Sequence, residues 1–477
     1  MSIIEHSALY SRKIGSDCQL SALYFFREHC FLNVTQFRRC AMPRLKTYSD
    51  PTKQAFYRGL EKLTSELSEE KINEIATRTG FVERCRKVVP AIFLWNLVMG
   101  FGVSLKNNLA MIRRRYKQVS DIELAPASFF DRFNDRLVAF LREVLQELIQ
   151  SLSSSSLPRN VLKTFKDVCI FDSTILKLQD GLAKLYPGTK MAAGAKISVV
   201  MSVACESVKN VTIHAGSKAE IKTIELGDWV RDHLLLFDMG FFKGSLFHKI
   251  MKCGGHFITR LKSNMNPVIT RNNLASRGRA IDVEGKKLKD VLGQIKRSVL
   301  DVNIALPCNF RKYAGVARKT EIEVRLVGIL NEESREYHLY ITDLPSEQFP
   351  AEAIAQLYRG RWAIELMFKE LKTNYSLETV MSSKPEVIQA LIYSAMITLV
   401  ISRKLFIAYR DAMALKKKVV SRQAWAIFLT ENSKDILRMI LKAGKIECSE
   451  RELFLLAMSE TLDKSLKRKK LDDVWNI

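Results

Sequence analysis

Paired cysteines are missing from this sequence. Its nine cysteines include no Cys-x-x-Cys pair, and none stands beside a cluster of histidines. That pattern speaks against a zinc site and against a disulfide framework, and their odd number favours free thiols. Histidine is scarce, with seven scattered residues; lone His214, following an apolar stretch, reads as structural rather than as a ligand. No internal repeat is evident. The first residues, MSIIEHSALYSRK, lack a basic segment leading into an apolar core, so no secretory signal is expected and a cytoplasmic, nucleoid-associated chain is. Uninterrupted apolar runs long enough to span a bilayer are also lacking. Val88–Leu105 runs 18 residues without charge but contains Pro90, Asn96, Gly100 and Gly102, and Val387–Ser402 runs 16 before Arg403. A span needs about 20 apolar residues, so both read as buried helices and no membrane is expected.

What the chain has in excess is positive charge. Seventy-five Lys and Arg against 51 Asp and Glu give a net charge of +24 over 477 residues. Such an excess suits a polyanion partner, because neutralising phosphates releases their counterions. The length leaves room for two or three domains. Region 45–150 reads as all helix. Ser68 is a candidate N-cap for Glu69–Arg78, with Gly80 as its stop. Ser104 is a candidate cap for Leu105–Lys117, and Ser128 for a helix opening at Phe129. Helices with basic ends, above all Arg113, Arg114 and Arg115, resemble a DNA-binding helical domain; a solvated charged face accounts for any one of them equally well. The serine run at 151–156, followed by Pro158, marks a linker.

Beyond the linker, two acidic residues follow apolar runs. Val168–Phe171 leads into Asp172, and Leu234–Phe237 leads into Asp238. Four apolar residues bounded by polar ones suggest a strand buried on both faces. A carboxylate ending such a strand sits at the rim of a sheet, where open α/β proteins place ligands. Taken singly, each Asp is better explained as a cap; taken with Glu365, a three-carboxylate cluster is the better reading. Further strands are expected at Lys196–Val203, Asn210–His214 and His256–Leu261, with helices at Ile221–His233 and Phe242–Cys253. Glu321–Leu330 and Glu336–Thr342 alternate around a polar turn and predict a hairpin. Basic stretches at Lys286–Arg297 and Arg311–Lys319 suit a face along DNA, or simple solvation.

The most informative stretch is LYRGRWAIELMFKELK, Leu357–Lys372. It reads as one helix. Tyr358, Arg361, Glu365 and Lys372 then fall within roughly 60° of one another at about 100° per residue. A carboxylate among cations suits a divalent metal held beside a phosphate backbone, although mixed charges at helical spacing also serve solubility.

Tyr, two residues, Arg, three residues, Glu, six residues, Lys is the signature of DDE transposases of the insertion-sequence-4 family, which this chain resembles over about residues 60–410. Asp238, Gly240 and Phe241 match that family's second-Asp motif; Asp172, Ser173 and Thr174 match its first. The resemblance implies an α/β fold: a ribonuclease-H-like catalytic core (160–375) with a β-rich insertion subdomain (about 263–345). An all-helical N-terminal domain (45–150) would precede it and C-terminal helices (376–477) follow. It implies Asp172, Asp238 and Glu365 as catalytic metal ligands for two Mg²⁺ ions, with Mn²⁺ as an alternative. Tyr358, Arg361 and Lys372 would contact DNA. Double-stranded DNA would be the partner, both terminal inverted repeats and target, handled by a homodimer in the synaptic complex through a cut-and-paste route with a hairpin on the excised end. The alternatives are a metal-dependent nuclease of the same fold and a catalytically idle DNA-binding descendant.

Overall fold

A computed structural model describes residues 51–83, 88–101, 109–151, 164–273, 282–295, 297–310, 319–375, 377, 382–414 and 420–446. The helices α1 (Pro51–Glu66), α2 (Glu69–Arg78), α3 (Pro90–Phe101), α4 (Leu109–Ser120), α5 (Pro126–Phe130) and α6 (Asp135–Gln150) come first. Ser68 caps α2 by accepting a hydrogen bond from Lys71 N, and Gly80 follows its end at φ 70°, the left-handed turn that stops a helix. Ser128 does not act as a cap: it lies inside α5, which starts at Pro126, and Asn134 caps α6 instead. Proline at a helix start forfeits no hydrogen bond. Ser104 and all of the serine run except Ser151 lie outside the described residues.

Next come β1 (Asp167–Lys177), β2 (Gly194–Ser202), β3 (Ser207–Ala215), β4 (His233–Phe237), α7 (Gly244–Lys252) and β5 (His256–Arg260). Then follow β6 (Ile269–Asn272), α8 (Leu288–Leu292), β7 (Val299–Asn309), β8 (Lys319–Leu330) and β9 (Tyr337–Thr342). The helices α9 (Ala351–Arg359), α10 (Trp362–Thr373), α11 (Pro385–Ala414), α12 (Arg422–Glu431) and α13 (Ser433–Ala443) close the described chain.

The nine strands form one sheet in the order β3-β2-β1-β4-β5-β9-β8-β7-β6. Strands β1, β4 and β5 run parallel, while β2 and β3 are antiparallel additions beside β1. The hairpin predicted after Glu321 is present as β8 and β9, with Leu330 opposite Tyr337. The Asn331 side chain accepts from Glu333 N and Ser334 N to close its turn. The strands of the long segment between β5 and α9 extend the same sheet through the β5–β9 pairing.

Two expectations fail locally. The segment 221–233 is not a helix; short 3₁₀ turns at Glu220–Thr223 and Asp228–Val230 flank an extended Gly227. Its Ile221, Ile224, Leu226 and Trp229 lie against the core on one face of the sheet, an anchoring that outweighs helical pattern. Strand β1 does not end at Asp172 but continues to Lys177, because β2 keeps pairing with it after β4 has stopped.

The opposite face of the sheet shares one continuous core with the N-terminal helices, α9 to α11, and the C-terminal helices. At the heart of this layer lies α11, 30 residues long and apolar enough to cross a membrane by length and composition; its most apolar window is 89% buried within the protein. Its apolar surface is therefore already covered by α1, α3 and α6.

Candidate active site

Register and alternation bring the two aspartates together. Strands β1 and β4 pair in parallel up to Phe171 opposite Phe237, so Asp172 and Asp238 are the next residues of adjacent strands. Adjacent strands lie about 4.8 Å apart. Val168 and Ile170 share one core with Leu234 and Leu236, whereas Phe171 and Phe237 belong to the core on the other face. Period-two alternation therefore turns Asp172 and Asp238 to the same, helical, face.

Glu365 reaches that point from α10. Arg361 joins the two elements: its guanidinium lies 3.7 Å from Asp172 Oδ2 and donates to Glu365 Oε1. Asp172 and Glu365 are partly buried, at 19% and 34% side-chain exposure. Burial pushes the Asp172 carboxyl up to about 6; the neighbouring Asp238 and Glu220 push the same way, while the Ser173 N–H and Arg361 oppose them.

The stretch 357–372 is not one helix. Between α9 and α10 the backbone tightens to i→i−3 bonds: Gly360 N to Leu357 O, Arg361 N to Tyr358 O, Ala363 N to Gly360 O and Ile364 N to Arg361 O. Glycine is a weak helix former, which makes position 360 the natural place to yield. The break opens a new helix N-terminus at Trp362, with Glu365 in its first turn, where the helix dipole favours a negative charge. Tyr358 consequently belongs to a different helix from Glu365 and Lys372. It is 7% exposed, lies 5.2 Å from the Tyr340 ring, and carries the Arg361 guanidinium 5.8 Å from its ring centre. Its buried hydroxyl makes no hydrogen bond among the described residues, and burial pushes its pKa up to about 12. Lys372, half-buried, sits in the last turn of α10.

The three arginines of α4 divide their work. Arg113 donates to Leu124 O and Arg115 to Met99 O, so both tie chain to chain; Arg114 is exposed.

Sequence reasoning missed a fourth carboxylate, Glu220. It accepts a hydrogen bond from Ser173 Oγ at 3.0 Å and stands over Gly240. Its only trace in sequence was an unremarkable Ala-Glu-Ile at the head of a segment read as helix.

A second polar cluster lies lower on the same strands. Asp167, Cys169 and His233 offer ligand atoms within 4.8 Å of one another. The Lys209 ammonium fills that group, 3.4 Å from Asp167, 3.7 Å from Cys169 and 3.0 Å from His233. That ammonium already gives the cluster's one carboxylate a cation within the chain. A cleft of about 620 Å³ between α6, β3 and α11 contains none of the carboxylates of the first site.

Carboxylates at the carboxyl end of parallel strands, joined through Arg361 to a carboxylate on a helix, mark the candidate site of an α/β protein. Residues 163–401, half of the chain, match the family model described as the transposase DDE domain. The chain belongs to that family, whose members cut and join DNA. It is 23% identical over 400 residues to the transposase for insertion sequence element IS231F of Bacillus thuringiensis subsp. israelensis, covering 75% of this chain and 82% of that one. It is 24% identical over 363 residues to the transposase for IS1151 of Clostridium perfringens, covering 69% and 76%. A solved piggyBac transposase synaptic complex with hairpin DNA aligns at TM-score 0.42 and 13% identity, over 90% of this chain and 88% of that one, a likeness too slight to build on.

Proposed function

We propose that this DNA transposase is of the insertion-sequence-4 kind, cutting transposon ends and joining their 3′-hydroxyls to target DNA. Asp172, Asp238 and Glu365 are its metal ligands. The observation that carries the reading is the register: Asp172 and Asp238 adjoin on one face, and Arg361 links Asp172 to Glu365. An all-carboxylate donor set is hard and anionic and fits Mg²⁺ or Mn²⁺, two ions at most. Such ions, when bound, activate a water or 3′-hydroxyl and steady the leaving oxygen. The strand order β3-β2-β1-β4-β5 supports a ribonuclease-H-like core within the segment 160–375, extended by the strands of 263–345 and flanked by the helical regions 45–150 and 376–477.

In this reading the protein's own groups do the positioning. Arg361 releases its carboxylates when a phosphate arrives and turns its fork to the phosphate oxygens. Lys372, about 10 Å along the axis from Glu365 at 1.5 Å per residue, grips a neighbouring phosphate. Tyr358 backs Arg361 with its ring. Arg114 adds a DNA contact from α4, with Arg113 and Arg115 holding its helix. Terminal inverted repeats and target DNA are the partners, two copies of the chain form the synaptic complex, and the work takes place in the cytoplasm at the nucleoid.

The test is a cleavage and strand-transfer assay with Mg²⁺, a transposon end supplied both uncut and precut, and a target plasmid. Joined products are expected from the wild-type chain and from none of Asp172→Ala, Asp238→Ala or Glu365→Ala, each of which still binds the end. Cutting without joining would make the chain a nuclease; binding with neither would make it an idle descendant.

A further inference from the structure

The geometry points to Glu220 as a positioning residue for the acidic centre: its carboxylate, set between the Ser173 hydroxyl and Gly240, holds Asp172 and Asp238 at their spacing. This inference rests on the metal-ligand reading above. Ser173 Oγ donates to Glu220 Oε1 at 3.0 Å, and Ser173 N donates to Asp172 Oδ1 at 2.7 Å. One residue thus connects Glu220 to the first aspartate by two hydrogen bonds. On the other side, Gly240 follows Asp238 by two residues, within the 3₁₀ turn Met239–Phe241. A Cβ placed on Gly240 would lie 1.9 Å from Glu220 Oε2. Gly240 is not among the glycines with positive φ. Glycine therefore leaves room here that a Cβ would take, with no demand on its backbone dihedral, and the group that fills the space is the flexible end of Glu220.

Alternation on β1 explains why Glu220 acts through others. Successive strand residues point to opposite faces, so Ser173 points away from the face that carries Asp172. Glu220 comes from the turn Glu220–Thr223, whose following residue Ile221 lies against the core of that other face. It therefore stands behind the aspartates and buttresses them. Partners of this outer kind orient the ligating carboxylates, and their loss costs about 10- to 100-fold in metal affinity or activity.

The experiment uses the full-length chain. Mn²⁺ binding is measured by calorimetry, thermal unfolding by scanning fluorimetry and cleavage on a transposon end, for Glu220→Ala, Glu220→Gln, Gly240→Ala and the double variant Glu220→Ala/Gly240→Ala. Glu220→Ala is expected to weaken Mn²⁺ binding about tenfold or more without lowering the melting temperature. Glu220→Gln, whose amide oxygen still accepts from Ser173, should stay within about threefold of wild type. Gly240→Ala should resemble Glu220→Ala, because the new methyl displaces a flexible carboxylate and not backbone. The double variant should be no worse than Glu220→Ala, the non-additivity of two residues sharing one contact. Mn²⁺ binding unchanged in Glu220→Ala would overturn the inference. So would Glu220→Gln as damaging as Glu220→Ala, which would make Glu220 a direct ligand. Should Glu220→Ala fail to fold, Gly240→Ala and Glu220→Gln decide by the same criteria. Asp172→Ala is the control: if it binds Mn²⁺ as wild type does, the metal-ligand reading itself fails, whatever Glu220 does.

Discussion

Strands β1 and β4 carry two polar clusters, and they differ in where the compensating cation comes from. The lower one, Asp167, Cys169 and His233, has the Lys209 ammonium among its members. Burial, with Asp167 beside it, pushes the Cys169 thiol up to about 12, and burial holds His233 below its ordinary value, so one carboxylate faces one ammonium. The upper one gathers Asp172, Asp238, Glu365 and Glu220, with Arg361 shared by two of them. The first cluster is complete within the chain. The second sets four partly buried carboxylates against one guanidinium, and in the proposed function an external cation supplies the balance. Similar ingredients on the same strands make a structural knot in one place and, in the proposed function, a receptive centre in the other.

The sharpest test exchanges the consequences of damage. Asp172→Asn should lower end cleavage by roughly a thousandfold or more, the scale of several kcal/mol of lost charge stabilisation, and leave thermal stability at or above wild type. Lys209→Met should do the reverse. It strands the buried Asp167, so unfolding should become easier by about 1–3 kcal/mol, read as a lower melting temperature with per-molecule cleavage retained. Equal loss of cleavage in both would erase the distinction between the clusters.

Acidity gives the next largest effect. Because the Asp172 carboxyl is raised to about 6, protons compete with the cation at a higher pH than for an ordinary carboxylate. Mn²⁺ affinity should fall about tenfold per pH unit once the pH drops below about 6. A calorimetric series flat down to pH 4.5 would contradict the arrangement.

Lys372→Ala separates gripping from chemistry. Affinity for a cleaved end should fall by about 1–3 kcal/mol, the scale of a charge-assisted contact, with Mn²⁺ binding retained. Loss of both in a mobility-shift assay and a metal titration would merge Lys372 with the metal site.

The smallest effect concerns a complete ion pair at the far end of β5. His256 Nδ1 lies 2.7 Å from Asp343, which raises the imidazole pKa. A raised folded pKa stabilises fully below the unfolded value, about 6.5, and the benefit is lost as pH rises through the folded value. His256→Gln should therefore lower the melting temperature by a few degrees at pH 5.5 and by less at pH 8.5. A difference that grew with pH would refute the pairing.

Much of this was legible in one dimension. Four-residue apolar runs before Asp172 and Asp238 marked buried parallel strands, since a strand covered on both faces has no polar side to alternate with. Alternation announced the β8–β9 hairpin, and Ser68 and Gly80 bounded α2, because capping is local chemistry. The Tyr358-Arg361-Glu365-Lys372 spacing singled out the segment whose Arg361 reaches Asp172, even though the helix carrying it is broken at Gly360. Only the tertiary structure decided the rest. Whether Asp172 and Asp238 face each other depends on register between strands 66 residues apart, and a one-residue slip would turn one of them to the other face. Whether Arg113 and Arg115 meet solvent or carbonyls depended on what packs over α4. Glu220 announced nothing in sequence: its meaning comes from a hydroxyl 47 residues before it and a glycine 20 after. Spacing along a chain fixes chemistry that is local, and contacts between distant segments are set by how the whole core closes.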